Sequence, residues 1–128
     1  MSKKVTTNHV AIQCSDRKAA SIFFTQVLKI PLLKSFSITD QLSSKIFNIN
    51  GNVEVDVYDN ESSRFEVFIK EKFSPSEYEH VCVEVDDKKE FIANCKKHFL
   101  KPFFVKKGEK ELLFVRDFSN NLFEIKEK

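Results

Sequence analysis

The chain repeats one of its own segments. Residues 8–13 (NHVAIQ) return as residues 79–84 (EHVCVE), a shift of 71 residues. The alignment then continues without a gap for more than twenty residues and brings Pro31 onto Pro102. A repeat of this length is typical of a duplicated supersecondary unit. The sequence therefore predicts two copies of one fold module.

The composition is that of one folded domain. Of the 128 residues, 14 are phenylalanine and 41% are hydrophobic, which suits a core that buries roughly 70% of the unfolded surface. The net charge of +2 comes from 21 basic and 19 acidic residues spread along the chain. We find no basic stripe interleaved with aromatic residues and expect no nucleic-acid partner. No apolar run approaches the roughly 18 residues of a membrane span, so we also expect no membrane partner.

The cysteines and the N-terminus indicate a compartment. Cys14, Cys82 and Cys95 form no C-x-x-C pair and are odd in number, which argues against a disulfide framework and favours a reducing environment. The first residues carry charge but no apolar stretch of the secretory type. We therefore expect a cytoplasmic protein.

Both halves of the chain show the same order of predicted elements, which is a strand, a helix and three further strands. The strands, from apolar alternation and turn residues, are predicted at about 5–14, 32–38, 53–58, 64–69, 80–85, 103–106, 111–116 and 121–126. The segment 41–49 is predicted as an irregular strand or a turn. The helices begin after caps at Ser15 or Asp16 and at Asp86. The second helix should turn Phe91, Ile92, Cys95 and Phe99 towards the core.

The sequence therefore predicts an α+β fold of two βαβββ modules. Module 1 covers about residues 5–71 and module 2 about residues 79–128, within a single domain over residues 1–128. The segment 72–79, which contains a proline, is the predicted linker. We expect the two sheets to form an incomplete barrel with the helices outside.

Two histidines and two glutamates occupy equivalent places in the modules. His9 and His80 begin the first strand of each module, and Glu66 and Glu124 lie in the last strand. Strand alternation puts all four on the face opposite the apolar residues. If the sheets curl around one concavity, the four side chains meet there. Two imidazoles and two carboxylates suit a divalent ion such as Zn, Ni, Mn, Co or Fe(II).

Each of these residues also has a plain structural interpretation. A single histidine at a strand start is more often a hydrogen-bonding residue, and a glutamate on an outward strand face is usually only solvated. The joint occurrence of all four in the first and last strands of both repeats favours a metal site. The third histidine, His98, lies late in the second helix and is interpreted as a partner of the helix dipole.

The chain resembles the vicinal oxygen chelate superfamily, which includes glyoxalase I, bleomycin-resistance proteins, fosfomycin-modifying enzymes and extradiol dioxygenases. Residues 9–28 are similar to the family's opening signature, and Lys29 stands where that signature has glycine. Residues 116–124 (RDFSNNLFE) are similar to its closing turn, with Phe118 and Asn120 in place of proline and glycine. The resemblance covers essentially the whole chain.

The resemblance implies a glyoxalase-like fold and a set of metal ligands. In metal-dependent members the ligands come from the first and last strands of each module, which here are His9, Glu66, His80 and Glu124. This set is most similar to that of bacterial glyoxalase I. The resemblance further implies that the metal chelates adjacent substrate oxygens and stabilises an enediolate or similar oxyanion, and that Glu124 or Glu66 moves a proton.

The resemblance also implies a second copy of the chain. Modules of this type close a cup by pairing with another module, either within one chain or across two. We expect a homodimer, and the sequence leaves both pairings open.

Further residues share the strand faces of the candidate ligands. Arg64 and Arg116 are candidates to bind an anionic group of a small-molecule substrate, or equally to pair with a nearby carboxylate. An apolar wall for the same substrate is predicted from Phe68, Phe114 and Leu122. Cys82 should face the same way, as a small packing residue rather than a nucleophile.

Two functions follow as hypotheses. The first is a divalent-metal-dependent, glyoxalase-like lyase or isomerase that acts on a small oxygenated substrate through metal-chelated vicinal oxygens. The second is a metal-free, bleomycin-resistance-like protein that binds a small molecule. The four candidate ligands favour the enzyme. The slightly basic charge argues against the binding protein, because the drug-sequestering members tend to be acidic.

Overall fold

The residues that position the site all lie within the described parts of the chain. The computed structural model describes residues 7–71 and 78–128. Residues 5–6 of the predicted first strand and residues 72–77 of the predicted linker lie outside this range.

Module 1 contains four strands, two α-helices and a π-helical segment within the described residues. In chain order these are β1 (Val10–Cys14), α1 (Arg17–Ser21), the π-helical segment (Ile22–Val27), β2 (Leu32–Ile38), α2 (Asp40–Phe47), β3 (Val53–Asp59) and β4 (Arg64–Ile69). Module 2 repeats this plan without the helix between its second and third strands. Its elements are β5 (His80–Val85), α3 (Lys88–Lys97), β6 (Phe103–Lys107), β7 (Lys110–Arg116) and β8 (Leu122–Glu127).

The two modules form sheets of identical topology. Sheet 1 has the strand order β1-β4-β3-β2 and sheet 2 the order β5-β8-β7-β6. The first and last strands of each module pair in parallel, with Val10 opposite Phe65 and Val81 opposite Phe123, and the other pairs are antiparallel. The two sheets do not close on each other. The predicted α+β fold of two βαβββ modules is confirmed, and the barrel is incomplete as expected.

One hydrophobic core joins the modules. The π-helical segment contributes Phe23 and Phe24, whose side chains are fully buried. The Phe23 ring lies 4.9 Å from that of Phe123 in sheet 2, and the Phe24 ring lies 5.3 Å from that of Phe65 in sheet 1. The strand faces that carry Phe65 and Phe123 therefore pack against the helices. The opposite face of each sheet, which we call the open face, carries the candidate site residues.

Both main helices begin at an aspartate. The Asp16 carboxylate accepts a hydrogen bond from the Ala19 amide at 3.0 Å, as predicted. In module 2 the cap is Asp87 rather than Asp86, because the Asp87 carboxylate accepts from the amides of Lys89 and Glu90 at 2.9 and 3.2 Å. The predicted cap was therefore wrong by one residue.

The first helix widens where the second does not. The amide of Leu28 donates to the Phe23 carbonyl at 2.9 Å, a bond over five residues, which is the spacing of a π-helix. The wider turn takes up one additional residue. The buried side chain that follows each helix is Ile30 in module 1 and Leu100 in module 2, so these equivalent residues are 70 rather than 71 positions apart. Module 2 has its own additional residue, Lys101, between Leu100 and Pro102. Pro31 and Pro102 are therefore again 71 positions apart.

The end of α3 corrects one core prediction. Phe99 is 89% exposed, and Leu100 takes the buried position instead. The physical reason is the backbone, because Phe99 ends the helix in the left-handed region with φ of 65°. This conformation reverses the chain and turns the Phe99 ring to solvent.

Between β2 and β3 the expectation of an irregular strand or turn over residues 41–49 was wrong. These residues form α2, because the Thr39 hydroxyl accepts from the Leu42 amide at 3.4 Å and caps the helix. Asn48, with φ of 58°, ends it. The Phe47 ring packs edge-to-face on Phe68 at 5.5 Å, so α2 lies over the open face of sheet 1. The two predicted helices, α1 and α3, lie outside the sheets as expected, whereas α2 is an additional helix on the open face of sheet 1.

The thiols and the helices also bear on the surroundings of the protein. All three cysteines lie in the described residues, where Cys14 and Cys95 are buried, Cys82 is exposed, and they form no disulfide with one another. Among the described helices, none combines the length and apolar character that crossing a membrane requires.

Candidate functional site

Each module forms one histidine–glutamate pair on its open face. In module 1 the His9 Nδ1 atom lies 3.5 Å from Glu66 Oε2, and in module 2 the His80 Nε2 atom lies 3.7 Å from Glu124 Oε1. The glutamates are the better-buried partners, with side chains 18% and 16% exposed. The four predicted ligands therefore form two pairs of similar separation, through Nδ1 of His9 and through Nε2 of His80.

The strand register produces both pairs. In the parallel ladder of sheet 1, Glu66 is opposite Ala11, and in sheet 2 Glu124 is opposite Cys82. Each histidine precedes the opposing residue by two positions, so it shares the glutamate's face one step along the neighbouring strand. The His80 Nδ1 atom lies 3.0 Å from the Tyr78 carbonyl, and this contact orients the ring with Nε2 towards Glu124.

One chain does not bring the two pairs together. Among the described residues, no group of three or more histidine, cysteine, aspartate or glutamate side chains is close enough to share a metal ion. The donor types fit a first-row divalent ion, but catalytic sites of such ions use three protein ligands and structural sites use four. A single His–Glu pair therefore supplies fewer protein ligands than either kind of metal site uses.

A large groove crosses the open face of sheet 1. Its volume is about 880 Å³, and its walls come from β1, β4, α2, the start of β5 and the turn after β7. The apolar part of the wall includes Phe47, Ile49, Phe68 and Leu122. Lys70 and Arg116 supply cationic side chains to the same groove. A cavity of this size with a few polar groups suits a small molecule.

The two predicted arginines have different surroundings. Arg64 Nη1 lies 3.1 Å from Asp59 Oδ2 in an ion pair, which is the pairing that the sequence left as the alternative to substrate binding. Arg116 lines the groove, and its Nη1 atom donates to the Asn120 carbonyl at 3.1 Å. The structure thus places Arg116 at the groove and ties Arg64 to a neighbouring carboxylate.

The predicted aromatic wall is divided between the sheets. Phe68 lines the groove of module 1. Phe114 lies on the open face of sheet 2, where its ring stacks on Phe103 at 5.6 Å. The structure therefore brings Phe68 to the groove and places Phe114 opposite Glu124 in sheet 2.

Cys82 differs from its predicted role. It is exposed rather than packed, because no helix of module 2 covers the open face of sheet 2 among the described residues. Partial burial and the neighbouring Glu124 carboxylate raise the pKa of the Cys82 thiol, which disfavours the reactive thiolate.

Sequence reasoning missed three residues that build the groove, namely Lys70, Gln13 and Asn121. The Gln13 amide donates to the Lys70 carbonyl at 3.2 Å, and the Asn121 amide donates to the Gln13 carbonyl at 3.1 Å. The turn that presents Asn121 is held by Asp117, which is buried and accepts from the Asn121 amide nitrogen of the main chain at 2.8 Å. The similarity of residues 116–124 to a family turn was a signal for Asn121, whereas strand alternation from Phe68 was the available signal for Lys70.

Comparison with known proteins tests the resemblance. No protein-family model matches the chain, and no curated protein matches it by sequence. Solved structures match over nearly its full length. A glyoxalase family protein from Bacillus cereus has a TM-score of 0.79 at 17% identity, covering 98% of this chain and 95% of that one. A glyoxalase family protein from Enterococcus faecalis has a TM-score of 0.72 at 22% identity, covering 94% and 95%.

A third match carries ligands. It is a single-residue mutant of the fosfomycin resistance protein FosX from Listeria monocytogenes, complexed with Mn(II) and 1S,2S-dihydroxypropylphosphonic acid. Its TM-score is 0.73 at 13% identity, and the match covers 97% of this chain and 90% of that one. The chain shares the fold of these glyoxalase family and FosX proteins. The predicted resemblance is confirmed at the level of the fold, and the superfamily includes proteins that bind a divalent metal and a small molecule.

Proposed function

We propose that the protein is a divalent-metal-dependent enzyme of the glyoxalase type, a lyase or isomerase that acts on a small oxygenated substrate through metal-chelated vicinal oxygens. The observation that carries this proposal is the pair of equivalent His–Glu contacts, at 3.5 Å in module 1 and 3.7 Å in module 2. A fold repeat alone does not require the same two side chains to meet in both copies. A shared role in binding a metal explains why they do.

The complete site, in this proposal, lies between two copies of the chain. Module 1 of one copy contributes His9 and Glu66, and module 2 of the second copy contributes His80 and Glu124. A two-fold axis then creates two identical sites in each homodimer. Exposed apolar side chains on α2 and β6 support such an interface, because contact with a second copy would remove their apolar surface from water. These side chains are Leu42, Ile46, Phe47, Phe103, Phe104 and Val105.

The chain's own residues have separable roles in this proposal. The bound metal, Mn(II) as in FosX or another of Zn, Ni, Co and Fe(II), would polarise adjacent substrate oxygens. Glu66 or Glu124 moves a proton, because a carboxylate within the site can act as a general base. The substrate is positioned by Arg116 and Phe68, with Arg64 and Phe114 completing the wall of the shared cup.

The alternative function, a metal-free protein of the bleomycin-resistance kind that binds a small molecule, has one observation in its favour. The groove of about 880 Å³ lies within one chain, and His80 is the one candidate metal ligand among its described lining residues. A protein that only binds its ligand would use this groove without any involvement of Glu66 or Glu124.

Metal titration distinguishes the two functions. Chelator-stripped wild type should bind Zn, Ni or Mn tightly, and His80→Ala should bind the same ions at least tenfold more weakly because it loses a direct ligand. His98→Ala is the matched control. Its imidazole ends α3, with Nδ1 at 3.0 Å from the Asn94 carbonyl, so metal affinity should not change. Equally weak binding by wild type and His80→Ala would reject the metalloenzyme in favour of the binding protein.

A further inference from the structure

Two cationic side chains at the groove have no carboxylate partner among the residues that the structure describes. Lys70 and Arg116 both line it, and within residues 7–71 and 78–128 the ion pairs involve other residues. The Arg116 side chain donates to a main-chain carbonyl, at 3.1 Å from Asn120 O, which leaves its charge uncompensated. Glu79 is the single acidic side chain among the described residues of the lining.

The fold anchors both cations to the same end of β1. The Lys70 amide donates to the Cys14 carbonyl at 2.9 Å, and the Gln13 side chain donates to the Lys70 carbonyl at 3.2 Å. On the other side, the turn that follows Arg116 is tied to β1 by the bond from the Asn121 side chain to the Gln13 carbonyl at 3.1 Å. Gln13 therefore links the main chain beside Lys70 to the turn beside Arg116, and one cation comes from each module.

The rest of the groove is partly apolar. Phe47 and Phe68 meet edge-to-face at 5.5 Å and form one wall, with Ile49 and Leu122 nearby in the lining. A ligand that fills the groove thus meets positive charge near Gln13 and aromatic surface under α2. Such a division favours a molecule with one charged end and one apolar end.

We propose that this groove binds an oxyanion that carries a short apolar substituent, with the oxyanion between Lys70 and Arg116 and the substituent against Phe47 and Phe68. A phosphate or a carboxylate would satisfy the cations through charge-assisted hydrogen bonds. The binding itself requires no metal ion. It rests on the proposed function only in identifying the bound molecule as the substrate.

Binding of simple probes to chelator-treated, full-length protein tests the proposal. Phenyl phosphate and benzoate should bind measurably by calorimetry, and benzyl alcohol, which lacks the charge, should bind at least tenfold more weakly. Inorganic phosphate, which lacks the apolar substituent, should also bind more weakly than phenyl phosphate. The ratio of the affinities for phenyl phosphate and benzoate shows which oxyanion the two cations prefer.

The variants assign the effect to the two cations. Lys70→Met and Arg116→Met should each weaken phenyl phosphate binding roughly tenfold, while Lys34→Met, at an exposed position of β2 away from the groove, should leave it unchanged. The hydrogen bonds of Lys70 to Cys14 and Gln13 use its main-chain atoms. Lys70→Met keeps these bonds and should therefore keep the wild-type melting temperature. Equal affinity for benzyl alcohol and phenyl phosphate, or equal effects of the Lys70 and Lys34 variants, would overturn the proposal.

Metal titration of the same variants separates this proposal from the proposed enzyme function. If the anion site is real and the metal site is not, phenyl phosphate binding will depend on Lys70 while His80→Ala leaves metal binding unchanged. If only the metal site is real, His80→Ala will weaken metal binding while Lys70→Met leaves phenyl phosphate binding unchanged.

Discussion

The two modules place the same pair of donors on the same strands but surround them differently. Module 1 covers part of its open face with α2, whose Phe47 packs on Phe68. Module 2 joins the equivalent strands, β6 and β7, by a tight turn at Gly108, which has φ of 66°. Module 1 therefore carries a groove with a helical wall, whereas no described helix covers the open face of sheet 2.

This difference indicates what the repeat preserves. The parallel pairing of first and last strands is the same in both modules, and it places each histidine beside its glutamate. The connection between the second and third strands is free to vary. A covered face and an uncovered face are complementary rather than identical, which fits a site assembled from module 1 of one copy and module 2 of another.

The largest expected effect tests whether the modules depend on one core. Phe65 and Phe123 hold equivalent positions in the last strands, and both are buried. Phe123 contacts rings of the first helix as well, at 4.9 Å from Phe23. Phe123→Ala should lower the free energy of unfolding by about 3–5 kcal/mol, and chemical denaturation should show one transition. Two separate transitions in wild type would show that the modules fold independently.

A second comparison concerns the turn after the third strand of each module. Asp117 is buried and accepts from Ser119 and Asn121, whereas Asp59, the last residue of β3, is partly exposed and pairs with Arg64. Asp117→Ala should cost about 2–3 kcal/mol because it leaves buried donors unsatisfied, and Asp59→Ala about 1 kcal/mol or less. Urea denaturation measures both. A larger loss for Asp59→Ala would contradict the assignment of Asp117 as the anchor of the groove turn.

The buried thiol of Cys95 in module 2 makes the free energy of unfolding depend on pH, and Phe24 stands at the equivalent place in module 1. Burial raises the pKa of Cys95 from its ordinary 9.0 to about 12. The folded state therefore keeps this proton when the unfolded chain has released it. The contribution of this pKa difference to the free energy of unfolding is fully present below pH 9, and it is lost as the pH rises towards 12. Between pH 9 and 10.5 the loss should be about 1.5 kcal/mol.

Cys95→Ala provides the control for this pH dependence. The substitution opens a cavity and so lowers the free energy of unfolding at every pH. It also removes the thiol's contribution to the change of that free energy with pH. Denaturation curves recorded from pH 8 to 10.5 give both slopes. Parallel slopes in wild type and Cys95→Ala would show that the thiol does not couple to folding in this range.

The smallest expected effect concerns the helix ends. Lys29 and Phe99 both end a helix in the left-handed region, with φ of 60° and 65°. Glycine adopts this conformation without the cost of about 1–2 kcal/mol that other residues bear, although its unfolded chain is more flexible. Lys29→Gly and Phe99→Gly should each stabilise the protein by about 0.5 kcal/mol. A thermal-melting shift downwards in either variant would contradict this account of the helix ends.

Much of this structure was predictable from strand alternation and from the repeat. The four strands that carry His9, Glu66, His80 and Glu124 follow the predicted alternation, because one face of each sheet must be apolar to cover the helices. Local patterns did not reveal α2, since residues 41–49 mix polar and apolar side chains and their helix depends on the Thr39 cap and on contact with Phe68.

Other features depend on three-dimensional contacts that no local pattern contains. The additional residue of the π-helical segment is absorbed within a helix and compensated by Lys101, so the sequence alignment passes over it. The separation of the four donors into two pairs is also invisible in the sequence, because the repeat specifies which strands carry them and not how the sheets are placed. Lys70 lies one residue beyond β4, so its place on the open face follows only when the alternation from Phe68 is continued past the end of the predicted strand.

Mixing two defective variants is the most direct test of the shared site. One variant carries His9→Ala and Glu66→Ala, and the other carries His80→Ala and Glu124→Ala, so neither binds metal as a homodimer. In a co-refolded mixture, half of the dimers join the two variants, and each of these contains one intact site. Calorimetry with Zn, Ni or Mn should then recover about a quarter of the wild-type binding capacity at wild-type affinity. Recovery of no tight sites from the mixture, with wild type binding normally, would contradict a metal centre shared between two chains.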